Sequence, residues 1–172
     1  MAFIDSIKKR AKQNKKTIVL PETADMRTLE AAHKILQEGI ADIILVGDKQ
    51  TIIKKADGLD LTGVKFVDPY DCDKLNDYVS ILVELRKKKG MTPEEAKELL
   101  LTNVLYFGCI MVKAGDADGM VAGAVNSSAN VLRAALQILK TAPDTKLVSA
   151  FFLVVVPNCE MGEQHSFSQM QD

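Results

Sequence analysis

The chain has 172 residues, 47% of them hydrophobic, which is enough for one real core and excludes an intrinsically disordered segment. Its 22 lysines and arginines stand against 23 aspartates and glutamates, a formal charge of −1. No global field therefore draws it to nucleic acid or to an anionic membrane, and an anionic ligand would need locally placed cations.

In chain order, Phe3, Ile4 and Ile7 among Lys8, Lys9 and Arg10 read as an amphipathic helix, with no apolar stretch long enough for a signal peptide. Thr17 to Leu20 is a short apolar run closed by Pro21, a first strand. Leu29, Ala32 and Leu36 recur at helical spacing, Gly39 stops them, and Ala41 to Val46 supplies a second strand. Gly47 and Asp48 open a short helix, and Thr62 to Val67 resembles a third strand. Leu75, Val79, Leu82 and Leu85 mark one face of a long helix ending at Gly90. Thr92 and Glu95 have capping-box spacing with Pro93 at the first helical position, and Val104 to Val112 is apolar all round, as a fully buried helix is. Gly119 to Gly123 predicts a strand, Leu132, Leu136 and Leu139 a helix stripe, and Leu147 to Val156 a final buried strand. That last run, about ten residues, is half of what a membrane span needs. Strands alternate with helices nearly throughout, which predicts a layered α/β/α fold with a mostly parallel sheet, because parallel neighbours need crossovers.

Ligands of open α/β sheets collect outside the carboxyl ends of the strands. One turn there, Pro21-Glu22-Thr23-Ala24-Asp25, reads most simply as a capped helix start after a carboxylate. A second, Asp118 through Gly123, Asn126, Ser127 and Ser128 to Arg133, runs from a strand through small and polar residues into a helix. It admits two readings, ordinary capping or an anion site in which backbone amides, hydroxyls and the Arg133 fork gather. It matches neither a Walker motif nor the G-x-G-x-x-G dinucleotide fingerprint. A third candidate is the basic cluster Arg86-Lys87-Lys88-Lys89-Gly90, which could serve a ligand or simply complement a helix carboxyl end. Cys159, in Pro157-Asn158-Cys159-Glu160, has nothing basic beside it to make it reactive. His33 has no partner at ligand spacing and is expected to be structural. Cys72, Cys109 and Cys159 lack the spacing of a zinc or redox motif, so no metal is expected, and a reducing cytoplasm suits them.

Four segments resemble the phosphate acetyltransferase family: Thr17 to Thr23, Glu84 to Thr92, Asp118 to Arg133, and Ala150-Phe151-Phe152 leading to Pro157-Asn158-Cys159-Glu160. The resemblance runs to about Gly162 and implies an isocitrate/isopropylmalate dehydrogenase-like fold, truncated here. It implies reversible acetyl transfer between coenzyme A and inorganic phosphate, with coenzyme A as substrate, no permanently bound cofactor and no metal in the chemical step. It also implies that Arg86 and Arg133 bind coenzyme A or phosphate groups, that Ser127 and Ser128 line the phosphate site with Asn126, and that Cys159 lies near the cleft. Asn126 stands where many relatives have histidine, and Ala134 follows Arg133 where proline is usual. Phosphate butyryltransferase is the alternative within the family. A coenzyme A or phosphate-binding fragment without turnover is the alternative outside it.

The resemblance divides the chain into an incomplete first α/β domain over 1–145, the opening strand region of an inserted second domain over 146–162, and an aberrant tail over 163–172 that is expected to be disordered. The family's catalytic serine–arginine pair and aspartate fall outside this sequence, so the short chain is expected to be nearly inactive alone. The intact family forms homodimers through its second domain, and a dimer is not assumed here. If Ser166 onward is encoded as TCG TTT TCG CAG ATG CAG GAC, skipping two bases gives Val-Phe-Ala-Asp-Ala-Gly, which resembles the family at this point, so a frameshifted tail is expected.

Overall fold

A computed structural model describes residues 2–149. Its elements follow the predicted alternation: α1 (Ala2–Gln13), β1 (Lys16–Leu20), α2 (Met26–Glu38), β2 (Ala41–Val46), α3 (Lys49–Lys55), β3 (Lys65–Val67), α4 (Leu75–Arg86), α5 (Pro93–Thr102), α6 (Val104–Ala114), β4 (Gly119–Met120) and α7 (Ser128–Ile138). The strands form one sheet in the order β3-β2-β1-β4, all parallel. Ile18 stands opposite Ile43 on one side and opposite Gly119 on the other.

Side chains of a strand alternate between faces, and both faces of this sheet are covered. Val19, Ile44 and Val46 join a core with α4, α5, α6 and α7, whereas Leu20, Ile43 and Leu45 join a second core with Leu29 and Ala32 of α2 and Ile52 of α3. The result is the expected three-layer α/β/α stack. Five of the six residues of β2 are buried, the signature of a central strand covered on both sides. α6 is the apolar centre of the helical layer, with Leu105 through Met111 all buried. It rests directly on the sheet at Gly108, where a Cβ would come within 2.6 Å of the Met120 sulfur and 3.4 Å of a Val19 methyl.

Local chemistry fixes the boundaries. Gly39 ends α2 in the left-handed region at φ 65°, with its amide bonding the last turn. Thr92 and Glu95 form the predicted capping box: the Glu95 amide donates to the Thr92 hydroxyl at 3.2 Å and the Thr92 amide to the Glu95 carboxylate at 2.9 Å. α4 tightens into a 3-10 turn over Lys87–Lys89 before Gly90, so the long helix ends where predicted.

Three expectations change. The third strand is shorter than Thr62 to Val67, because Gly63 turns at φ 93° and the Thr62 amide is taken by the Asp60 side chain. β4 has only two residues, because beyond the Val121 amide, which donates to the Val19 carbonyl, the chain leaves the sheet for a side-chain acceptor. In α7 the buried positions are Ala134 and Ile138, whereas Leu132 and Leu136 are 46% and 44% exposed. Of the predicted leucine stripe only Leu139 packs against the core, because α7 meets α6 and α4 along Val131, Ala134, Ala135 and Ile138. Most of the predicted last strand, with residues 150–162 of the second-domain segment and the tail, lies outside the described residues. Leu147 and Val148, its first two residues, are exposed and irregular.

Candidate anion site at the carboxyl ends of β1 and β4

The centre of this region is Glu22, two residues beyond β1 and 4% exposed. The chain that leaves β4 wraps its carboxylate. One oxygen accepts the backbone amides of Gly123 at 2.5 Å and Ala124 at 2.7 Å. The other accepts the amides of Val125 at 3.1 Å and Asn126 at 2.7 Å, with the Asn126 side-chain amide at 2.9 Å. Successive amides converging in this way form an anion-binding nest, and here its anion belongs to the chain itself. Gly123 adopts φ 114°, a conformation open to glycine and strained for other residues, and this lets the loop curl. Burial raises the Glu22 pKa, but the hydrogen bonds, led by Asn126 and followed by Ala124 and Gly123, outweigh it and hold the carboxyl at about 2.

Arg27, in the first turn of α2, grips the same loop from outside. Its guanidinium donates to the Ala124 carbonyl at 2.6 Å and to the Asp25 carboxylate at 2.7 Å. Asp25 caps α2 through the Arg27 amide. The Thr23 hydroxyl donates to the Val46 carbonyl at 2.7 Å, tying this turn to the end of β2. The turn after β1 is thus a capped helix start, and it also carries the carboxylate that organises the loop after β4.

Directly beyond the nest, Ser127 caps α7 by accepting the Asn130 amide at 3.3 Å, and Ser128 follows as the first helical residue, exposed. Arg133 lies on the exposed side of α7, where its guanidinium donates to the Asn130 side chain at 3.1 Å. Arg86 arrives from another element. Tyr78, in the first turn of α4, donates its hydroxyl to Asp116, which precedes β4, and Arg86 closes the helix at its other end. Arg86 and Arg133 both act on the buried phenol of Tyr106: burial pushes the Tyr106 pKa up and the two cations oppose it. The Tyr106 hydroxyl donates to the Gln137 side chain at 2.9 Å. The Arg86 Nε is shut off from solvent and has no hydrogen-bond partner among the described residues. A guanidinium nitrogen in that state leaves a strong donor unused.

Of the sequence-predicted residues, Arg86 and Arg133 are brought to one neighbourhood, Ser127 and Ser128 stand at the start of the same helix, and Asn126 is engaged with Glu22. Cys159 lies outside the described residues. Sequence reading noted the Glu22 carboxylate only as part of a capped helix start, and it did not single out Arg27 or Tyr106. An acidic residue placed just after a strand was the one available signal for Glu22, and its burial is not visible in sequence.

A separate cleft of about 410 Å³ runs beside β3, lined in part by Lys49, Lys65, Cys72, Lys74, Tyr78 and Asp116. Its charges answer one another: Lys74 pairs with Asp116, which also accepts from Tyr78 at 2.7 Å. Burial raises the Cys72 thiol, which makes it a poor nucleophile, and burial pushes Cys109 up to about 11. His33 bonds the Asp60 carbonyl at 2.8 Å, the structural role expected of it. Among the described residues no group of three or more His, Cys, Asp or Glu side chains is placed to hold a metal ion, and no helix is long and apolar enough to cross a membrane.

Comparison with known proteins bears on this arrangement. The family described as Phosphate acetyl/butaryl transferase matches residues 2–168. A phosphate acetyltransferase of Acetivibrio thermocellus is 55% identical over 97% of this chain and 50% of its own length. One of Thermoanaerobacterium thermosaccharolyticum is 52% identical over 97% of this chain and 51% of its own. The solved EutD phosphotransacetylase from Staphylococcus aureus superposes with a TM-score of 0.75 at 36% identity, covering 83% of this chain and 43% of that one. This chain spans about half the length of the curated relatives it matches. On these matches, which cover nearly all of it, the chain belongs to the phosphate acetyl/butyryl transferase family.

Proposed function

We propose that this chain carries the anion-binding part of a phosphate acetyltransferase, which exchanges an acetyl group between coenzyme A and inorganic phosphate: acetyl-coenzyme A and phosphate give acetyl phosphate and free coenzyme A. Both substrates are polyanions and the protein has almost no net charge. Cations must therefore be concentrated locally. The observation that carries the reading is the Arg86 Nε, shut off from solvent and unsatisfied among the described residues, with Arg133 near enough to act on the same Tyr106 phenol.

In this reading the two guanidinium groups hold phosphate oxygens in fork geometry and orient them, with the hydroxyls of Ser127 and Ser128 at the start of α7 completing the polar lining. Transfer is direct, by thiolate on acetyl phosphate or by phosphate oxygen on the thioester, and no acyl-enzyme forms. Coenzyme A is a substrate, not a resident cofactor. The proposed setting is the cytoplasm. The 172 residues alone bind without turning over, because the family's serine–arginine pair and aspartate fall in the other half of its sequence.

Binding and turnover are measured separately. Calorimetry is expected to show coenzyme A binding to the purified chain, weakened about 10- to 100-fold by Arg133→Ala, the range of one charge-assisted hydrogen bond. No acetyl phosphate is expected from acetyl-coenzyme A and phosphate. Absence of binding, or binding indifferent to Arg86 and Arg133, would overturn the reading. Running butyryl-coenzyme A beside acetyl-coenzyme A in the binding assay tests the acyl preference.

A further inference from the structure

We propose that Glu22 is a positioning residue for this anion site: its carboxylate serves as a built-in anion around which residues 123–126 fold, and that fold presents Ser127, Ser128 and Arg133 to a phosphate-bearing ligand. The inference rests on the proposed function for its ligand, and on the loop geometry for its mechanism.

The sheet supplies no partner for these amides, since β4 ends at Met120 and its last backbone bond to β1 is the one made by the Val121 amide. From Gly123 to Asn126 all four backbone amides are instead directed at Glu22. The only other polar hold on the run among the described residues is the Arg27 guanidinium on the Ala124 carbonyl. The conformation of the run is thus imposed from β1 and α2, and Ser127 follows with no intervening residue. A chain leaving the nest in a different direction would start α7 elsewhere and move Arg133 with it.

The charge matters as well as the shape. Five donors point at two oxygens, and a carboxylate offers only acceptors, so it answers all of them. The isosteric Gln would turn an NH2 group toward N–H groups, leaving donors facing a donor. The occupied nest has a further consequence, since a substrate phosphate cannot take these four amides. It is left to the arginines and the serine hydroxyls. A cavity of about 210 Å³ lined by Leu20, Glu22, Arg27, Thr28, Val121 and Ala124 adjoins the carboxylate and has room for a formate-sized molecule.

The test uses the full chain labelled with nitrogen-15, together with Glu22→Ala and Glu22→Gln. In the parent, inorganic phosphate is expected to leave the amide resonances of residues 123–126 in place. In Glu22→Ala those resonances move, the resonances of Ser127 to Arg133 move with them, and coenzyme A affinity falls about tenfold or more, the scale of a lost charge-assisted contact. Formate is expected to refill the emptied nest, returning both the resonances and the affinity, whereas chloride at equal ionic strength is not. Unchanged affinity despite a displaced loop would overturn the proposal. So would resonances restored by formate without restored affinity.

Should Glu22→Ala fail to fold, Glu22→Asp keeps the charge and withdraws it by one methylene. A displaced loop with weakened affinity then supports the proposal, and a displaced loop with full affinity defeats it. If the parent chain itself does not bind coenzyme A, the proposed function falls. The positioning role is then decided by whether the Ser127 to Arg133 resonances follow the Glu22 substitutions.

Discussion

Glu22 and Arg86 are both charged side chains drawn in from solvent, and they are provided for in opposite ways. Glu22 has five donors on one carboxylate, whereas the Nε of Arg86 meets none of the acceptors it could use among the described residues. Withdrawing a charged group from water is costly unless its hydrogen bonds are replaced. At Glu22 the chain supplies the replacement itself, which marks a structural centre. At Arg86 it does not, and the missing partner is of the kind a phosphate oxygen provides. On the proposed function, the difference separates the residue that builds the site from one that is kept for the ligand.

The comparison can be broken most forcefully at Glu22. Glu22→Ala leaves a nest of amides without its anion and is expected to lower unfolding stability by about 3 kcal/mol, read from the denaturant midpoint at constant slope. A loss below 0.5 kcal/mol, roughly the size of an ordinary surface change, would mean that water replaces the carboxylate freely.

Acid provides a gentler version of the same experiment. The Glu22 pKa is depressed from 4.5 to about 2 in the fold. Its contribution is therefore fully present above the unfolded value and is lost as pH falls from about 4.5 through 2. The loss is on the order of 2 kcal/mol after discounting for solvent screening, and it should be missing from Glu22→Gln in the same titration.

Arg86 should show the smallest stability effect and a clear functional one. Arg86→Met keeps the apolar stem and removes an Nε donor that nothing among the described residues accepts, so stability is expected to change by less than about 0.5 kcal/mol in either direction while coenzyme A affinity falls at least about tenfold. A destabilisation similar to that of Glu22→Ala would show that Arg86 belongs to the structure and not to the ligand.

What could be read from sequence follows the range of the interactions. Thr92, Pro93 and Glu95 announce a capping box because all its partners lie within four residues, and Gly39 announces a helix end for the same reason. The β-branched run of β2 and the all-apolar α6 likewise declare a buried strand and a buried helix. The face of α7 was not legible, because Leu132 and Ile138 are equally apolar and only the placement of α4 and α6 decides which is covered. Arg86 and Arg133 were named through family resemblance; residue type alone left them as possible helix-end and surface cations. Glu22 was the hardest to see. Its partners lie between 101 and 104 residues away, and no local pattern encodes a contact of that span.

The sheet order also carries a consequence in time. β1 finds β2 after one short crossover, but its other neighbour, β4, arrives only after α3 to α6 have been laid down, as in the 101-residue separation of Thr17 and Asp118. Pairings of such separation carry the greater loop-closure cost and are expected late in folding. On a ribosome the β1-α2-β2 unit would emerge with Glu22 already exposed at its tip, a lone anion waiting for its amides. The same order predicts that the amides of residues 123–126 exchange with solvent in a partial opening that leaves β1 and β2 protected, so the ligand end of the molecule would be the last part made and the first undone.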